Sequence, residues 1–273
     1  MTKERKWMYD SFNREINYLR VSVTDRCNLA CSYCMPSEHV GRSLSQEVLS
    51  LEELAGIVRT LAPLGITKVR LTGGEPLIRP GIENLVGMIA SIEGIQEVAM
   101  TTNGQGLEGK AMTLAQNGLK RVNISLDTLD PDRYRVLTGG GEIRKVLKGI
   151  EASIHAGLSP VKINCVLTPD TTSGETEALK EFCTARGLKL RFIRQMDLSR
   201  GKFWKVEGGQ GGHCISCNRM RLTADGRFIP CLFNEKEYHI RDHGIRGAFE
   251  KAIQHKPRNG RANTRNTFYS IGG

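Results

Sequence analysis

Cys27, Cys31 and Cys34 are separated by three and then two residues. Thiolates at that spacing can hold three corners of a 4Fe-4S cluster, and because four protein ligands are the rule for such clusters, one iron is left open. An iron without a protein ligand can bind a substrate or cofactor. A second triplet, Cys214, Cys217 and Cys231, has two and then thirteen residues between its members and again offers three ligands. Zinc is the alternative for either set. For the second, C-x₂-C with a distant third cysteine is a zinc pattern if His213 completes it. Cys165 and Cys183 lie in apolar stretches and read as buried structural thiols.

These cysteines need a scaffold, and the chain has the material for one. Its 273 residues, 39% of them hydrophobic, suit one barrel-sized domain with a small appendage. No apolar run approaches the roughly 18 residues of a membrane span. The start, Met1-Thr-Lys-Glu-Arg-Lys6, leads into no apolar signal region. The reading is therefore cytoplasmic, without membrane contact, where eight cysteines point to metal or redox chemistry rather than disulfides. A net charge of +10 suits a polyanionic partner. Aromatics are only 6% and do not interleave with basic residues, which argues against a nucleic-acid groove. Basic residues are densest near Lys256, Arg258 and Arg261, where a solvated surface is the plain reading.

The apolar pattern alternates between the two periods. Asn17 to Thr24 is a β-branched run that delivers the first cysteine loop at its C-terminal end. Strands follow at 68–72, 97–101, 121–125, 161–166 and 188–193, and helices are expected near 49–64, 82–92, 110–117, 143–156 and 174–186. Six strands alternating with five helices predict right-handed βαβ units, an α/β fold whose parallel sheet curls into a partial (β/α)₆ TIM-like barrel. Ligands gather at the C-terminal strand ends of such sheets. The cysteine loop, Gly73-Gly74-Glu75-Pro76 after the second strand and Thr101-Thr-Asn-Gly after the third all fall there. The two glycines let backbone approach a ligand, and Glu75 supplies an acceptor for an ammonium.

With these motifs in view, the C-x₃-C-x₂-C loop resembles the signature of the radical S-adenosylmethionine (SAM) superfamily. In that family the open iron takes the amino and carboxylate groups of SAM and cleaves it reductively to a 5′-deoxyadenosyl radical. The resemblance implies that Gly73, Gly74, Glu75 and Pro76 lie against the SAM amino group and Tyr33 against its adenine. Ser125 and Met196 are further SAM contacts on this reading. A closer likeness, to the GTP 3′,8-cyclases of molybdenum cofactor biosynthesis, rests on Asp10-Ser-Phe-Asn-Arg14 and Tyr18-Leu-Arg-Val-Ser-Val-Thr-Asp-Arg-Cys27. It rests equally on Lys68-Val-Arg70-Leu-Thr-Gly-Gly-Glu-Pro-Leu-Ile-Arg79, Ser125-Leu-Asp-Thr and Val161-Lys162-Ile-Asn. It covers about residues 8–196 and resumes from Cys214 to the end.

That family implies a second, auxiliary 4Fe-4S cluster at Cys214, Cys217 and Cys231, whose open iron contacts guanine. It implies GTP contacts at Arg219 and Arg221, which count with the first cysteine triplet as catalytic, and at Arg20, Arg70, Thr101 and Lys162. Lys68 and Arg191 join them, and the terminal Gly272 and Gly273 reach into the site. Planar guanidinium groups suit phosphate and guanine acceptors. The expected chemistry is hydrogen abstraction from ribose C3′ and attack on guanine C8, giving 3′,8-cyclo-7,8-dihydro-GTP. A low-potential electron donor such as flavodoxin or ferredoxin is implied, and a homodimer is left open. Between Met196 and Cys214 stand seventeen residues, where the family has several tens. The expectation is a radical SAM barrel over 1–196, a compact auxiliary-cluster domain over 197–273, and a more open cavity. A related enzyme acting on a peptide or another nucleotide is the alternative, and a non-catalytic iron-sulfur or zinc protein a third reading.

Overall fold

The computed structural model describes residues 8–34, 48–265 and 268. Six parallel strands appear in chain order: β1 (Tyr18–Ser22), β2 (Lys68–Thr72), β3 (Glu97–Thr102), β4 (Arg121–Ser125), β5 (Lys162–Leu167) and β6 (Lys189–Arg194). Between them run α1 (Leu51–Leu61), α2 (Ile82–Ala90), α3 (Ala111–Gln116), the pair α4 (Pro131–Leu137) and α5 (Ile143–His155), and α6 (Ser173–Ala185). The sheet is thus the expected partial barrel of βα units. It does not stop at β1: β7 (Arg219–Leu222) adds parallel to β1, and β8 (Arg227–Ile229) and β9 (Tyr238–His239) follow antiparallel. A last helix, α7 (Ile240–Gln254), kinks at Gly244 and packs on β8 and β9.

α1, α4, α6 and α7 each start where a side chain accepts from one of the first free N–H groups. Ser50 accepts from the Glu53 amide at 3.1 Å while Glu53 accepts from the Ser50 amide at 2.7 Å, and Thr172 with Glu175 repeats this reciprocal cap on α6. α1 then turns Leu54, Ile57, Val58 and Leu61 inward. Strand alternation does the rest. Leu19, Val21, Val69, Leu71, Val98, Met100, Val122 and Ile124 face the helices and are buried, forming the main core. Their neighbours in sequence, Tyr18, Arg20, Arg70, Thr101, Asn123 and Lys162 among them, are polar and line the opposite, concave face. Beyond β7, β8 and β9, two helices also lay outside the sequence expectation. α4 is only seven residues long, and its start is marked by Asp130, which accepts from the Arg133 amide at 2.7 Å ahead of Pro131. α7 has a weak apolar stripe broken by Gly244.

Candidate functional site

The first cysteine loop leaves the C-terminal end of β1 and is pressed from two sides. The Gly74 and Glu75 amides donate to the Thr24 and Arg26 carbonyls, each at 2.8 Å. A Cβ on Gly74 would lie 2.1 Å from the Arg26 carbonyl oxygen, and one on Gly73, whose φ is +154°, 2.5 Å from that of Thr24. Glycine is therefore required here so that β2's loop can seat the backbone just before Cys27. From the other side the Ala30 and Ser32 amides donate to the Thr138 and Leu137 carbonyls at 3.0 Å, so the C-terminal end of α4 closes over the loop. The Cys34 amide turns back to the Cys31 carbonyl at 2.9 Å.

The three thiols share this turn closely enough to feel one another. Burial raises the Cys31 thiol well above its usual range and Cys34 to about 12, with the neighbouring sulfurs adding to both. Burial likewise raises Cys27, against the Leu29 backbone amide, which donates to Cys27 Sγ at 3.5 Å, and the Asn103 side chain, whose Nδ2 donates at 3.9 Å. Among the described residues no three His, Cys, Asp or Glu side chains are gathered tightly enough to share a single metal ion.

Around the loop, Tyr33 donates its hydroxyl proton to Asp127 Oδ2 at 2.6 Å, and Asp127 Oδ1 accepts from the Val166 amide at 2.7 Å. Burial raises both acids, and the tyrosine then stays neutral and fixed. Glu75 is buried, and its oxygens accept from the Leu77 amide (2.9 Å), the Thr102 hydroxyl (2.6 Å) and the Asn103 amide (2.6 Å). Burial lifts its carboxyl to about 7, against those three donors. It braces the β2 loop against the β3 loop. Tyr33, Cys34 and Met196 together line an open cavity of about 1020 Å³ with Thr168, Gln195 and Trp204. The short segment after Met196 borders it. Ser125 stands at the end of β4, on the concave face.

The cations come together through strand register. Arg20 lies beside Arg70 of β2 and Arg221 of β7, and Tyr18 beside Lys68 and Arg219. Arg70 donates to the Tyr18 hydroxyl through Nε and to Thr101 Oγ1 at 3.2 Å through Nη1, so Thr101 helps to aim it. Arg221 is buried, not the solvent-facing strand residue its type would suggest. Burial lowers it to about 10, with Arg219 adding repulsion. Burial lowers Arg20 strongly, with Arg221 next in effect. Burial also brings Lys162 down to about 8, aided by Arg191, Arg121 and Arg70. Arg191, half-buried, feels Arg70, Arg121 and Arg219 in turn. Seven positive groups thus face one concavity, and four of them, Arg20, Lys162, Arg191 and Arg221, are held there against burial at a cost that a polyanion would offset.

The second triplet sits at the far edge of the same sheet. One residue, Asn218, separates Cys217 from β7, and one, Pro230, separates β8 from Cys231. Burial pushes Cys217 up, but Lys256, Arg219 and Arg14 more than offset it and leave the thiol lowered. Burial raises Cys231 despite Lys256. Of the basic stretch read as solvated surface, Arg258 and Arg261 are exposed, whereas Lys256 is buried and corrects that reading for itself. Tyr18, Asn103, Asp127, Lys256 and the α4 loop are neighbours of the site that residue type alone did not single out. Tyr18 and Asp127 stood inside the motif strings, while Lys256 had no local signal. Gly272 and Gly273 lie outside the described residues.

A cysteine loop at a parallel barrel's strand ends, clamped by a Gly-Gly-Glu turn, is the arrangement of the radical SAM superfamily, and the family model of that name matches residues 21–183. The fold is shared with anSMEcpe solved with bound AdoMet (TM-score 0.65, 17% identity, 89% of this chain and 81% of that one). Streptococcus suis SuiB bound to S-adenosylmethionine is similar to the same degree (TM-score 0.63, 17%, 90% and 66%). The chain belongs to this superfamily, and is an enzyme that works with a 4Fe-4S cluster and SAM.

Within it, the chain belongs to the GTP 3′,8-cyclase family. The GTP 3′,8-cyclase of Alkaliphilus oremlandii is 40% identical over 86% of this chain and 87% of its own. Those of Petrotoga mobilis and Moorella thermoacetica are each 38% identical over 92% and 94%.

Proposed function

We propose that this chain converts GTP to 3′,8-cyclo-7,8-dihydro-GTP for molybdenum cofactor biosynthesis, residues 1–196 carrying the SAM end and 197–273 the auxiliary end. The observation that carries the substrate is the concave cationic face: Arg20, Arg70, Arg191, Arg219, Arg221, Lys68 and Lys162 on the five strands β1, β2, β5, β6 and β7. One triphosphate can satisfy several of them at once. The cluster that Cys27, Cys31 and Cys34 would hold supplies, with SAM, radical hydrogen abstraction when bound. The protein's share is positioning. Tyr33, locked by Asp127, and Met196 flank the space for the adenine, and Gly73 to Pro76 and Ser125 hold the remainder of SAM. Thr101 aims Arg70 at phosphate. Cys214, Cys217 and Cys231 fit a second 4Fe-4S cluster, with Arg219 and Arg221 beside it for the purine. Gly272 and Gly273 are assigned to the site by family likeness alone.

A low-potential donor such as flavodoxin or ferredoxin supplies the electrons, and the cytoplasm suits the free thiols. No helix among the described residues is long and apolar enough to cross a membrane. The test is anaerobic incubation of the reconstituted protein with SAM, reductant and GTP, ATP or a peptide pool, with products separated by chromatography and identified by mass. The expected result is a cyclised isomer from GTP alone. Replacing Cys27, Cys31 and Cys34 with Ala should abolish 5′-deoxyadenosine, whereas replacing Cys214, Cys217 and Cys231 should spare it and abolish product. Turnover of another substrate with GTP untouched would refute the reading.

A further inference from the structure

Lys256 presents an energetic problem that its surroundings solve only if the second triplet is anionic. It is 3% exposed, and its Nζ donates to the carbonyls of Arg219 (2.6 Å) and Pro230 (2.7 Å). Arg219 begins β7, two residues after Cys217, and Pro230 lies between the end of β8 and Cys231. Among the described residues no carboxylate pairs with it. Its electrostatic partners of opposite sign are the sulfurs of Cys217 and Cys231. A buried ammonium held only by neutral carbonyls is destabilising by several kcal/mol. Neutral thiols would leave that deficit standing, and two ligating thiolates would remove it.

A second buried cation closes the other side. Arg14 donates through Nη1 to the Cys214 carbonyl at 2.6 Å and to that of Arg258 at 3.1 Å, and through Nη2 to that of Pro257 at 2.7 Å. Its Nε is paired with Asp10 at 2.6 Å. Arg14 therefore has its own counter-charge and serves to tie the Cys214 turn to the segment that carries Lys256. Lys256 is the cation left without a carboxylate.

We propose that Lys256 is a positioning residue for the second cluster, whose charge favours the cluster's reduced state and whose two hydrogen bonds set the spacing of Cys217 and Cys231. The proposal rests on the reading of that triplet as a cluster site. Reduction adds a negative charge beside a buried cation in a medium of low dielectric, so the ammonium stabilises the reduced form more than the oxidised. Its removal should change the reduced-to-oxidised ratio at a fixed potential by about tenfold, which for a one-electron couple is a shift of about 59 mV to more negative potential.

The experiment uses the full chain with Cys27, Cys31 and Cys34 replaced by Ala, so that only the second cluster contributes, and compares Lys256→Gln, Lys256→Met and Lys256→Arg by iron content and EPR-monitored redox titration. Gln keeps a donor without the charge and Arg keeps the charge. The expected result is that Gln and Met move the midpoint downward and Arg does not. Loss of the iron in Gln and Met but not in Arg would also support the proposal. An unmoved midpoint in a Gln variant that retains its iron would overturn it, as would equal loss in all three. Zinc or no iron in the parent with Lys256 intact would instead overturn the cluster reading beneath it.

Discussion

Arg221→Met isolates the tension between stability and binding that the concave face creates. The arginine is buried beside Arg20 and near Arg219, and burial, with Arg219 next, brings it down from its ordinary value to about 10, as expected where the folded protein tolerates the charge poorly. At pH 7 the group is charged in both folded and unfolded chains, so that shift corresponds to about 3 kcal/mol of destabilisation at 1.36 kcal/mol per unit. Methionine keeps most of the apolar stem and removes the charge. The hydrogen bonds of the guanidinium go with it, at about 1–2 kcal/mol. The net expectation is a protein more stable by about 1–2 kcal/mol in the absence of ligand, a rise of a few degrees in Tm. GTP should bind at least tenfold more weakly, because truncating one charged partner of a buried pair costs on the order of 2–5 kcal/mol. Urea denaturation without nucleotide gives the first quantity and calorimetric titration of the anaerobic protein gives the second. A variant that is less stable than the parent by 2 kcal/mol or so, or that binds GTP as tightly, would refute the idea that this arginine is held against its own repulsion for a polyanion.

Two other outcomes follow from the geometry. Gly74→Ala places a methyl 2.1 Å from the Arg26 carbonyl, so the loop before Cys27 must move; the change should destabilise by about 1–3 kcal/mol and reduce SAM cleavage by on the order of 10²-fold, whereas Gly56→Ala, with nothing within 4 Å, should be neutral or slightly stabilising in both assays. Lys162, brought down to about 8 first by burial and then by Arg191, loses its proton as pH rises through that value, so GTP affinity should fall between pH 7 and 9 and the fall should be flattened in Lys162→Met. Between about pH 8 and 10.5 the unfolded chain holds this proton more than the folded one does, so the group's effect on stability has the opposite sign and stability rises with pH there. An affinity that is flat over this range in the parent would count against Lys162 as a phosphate contact.

Local spacing determined a good deal of this protein. The first triplet with its three and two intervening residues, the Gly-Gly-Glu turn and the alternation of strand and helix periods are all short-range patterns, and the parallel barrel of βα units follows from them. α4 escaped because seven residues are too few to show a helical period, and beyond its Asp130-Pro131 start signal it shows its role by closing over the cysteine loop. What tertiary structure alone decided is which charges meet. Arg221 reaches Arg20 because β7 pairs parallel with β1 in one particular register, and a shift by one residue would have turned it into the core face. Lys256 and Arg14 converge on the second triplet from opposite ends of the chain, and nothing in the composition of either neighbourhood marks them as buried. Pairing register and burial are set by hydrophobic contacts between segments far apart in sequence. The residue types at each position therefore carry the chemistry, and only the packed sheet determines where the chemistry is done.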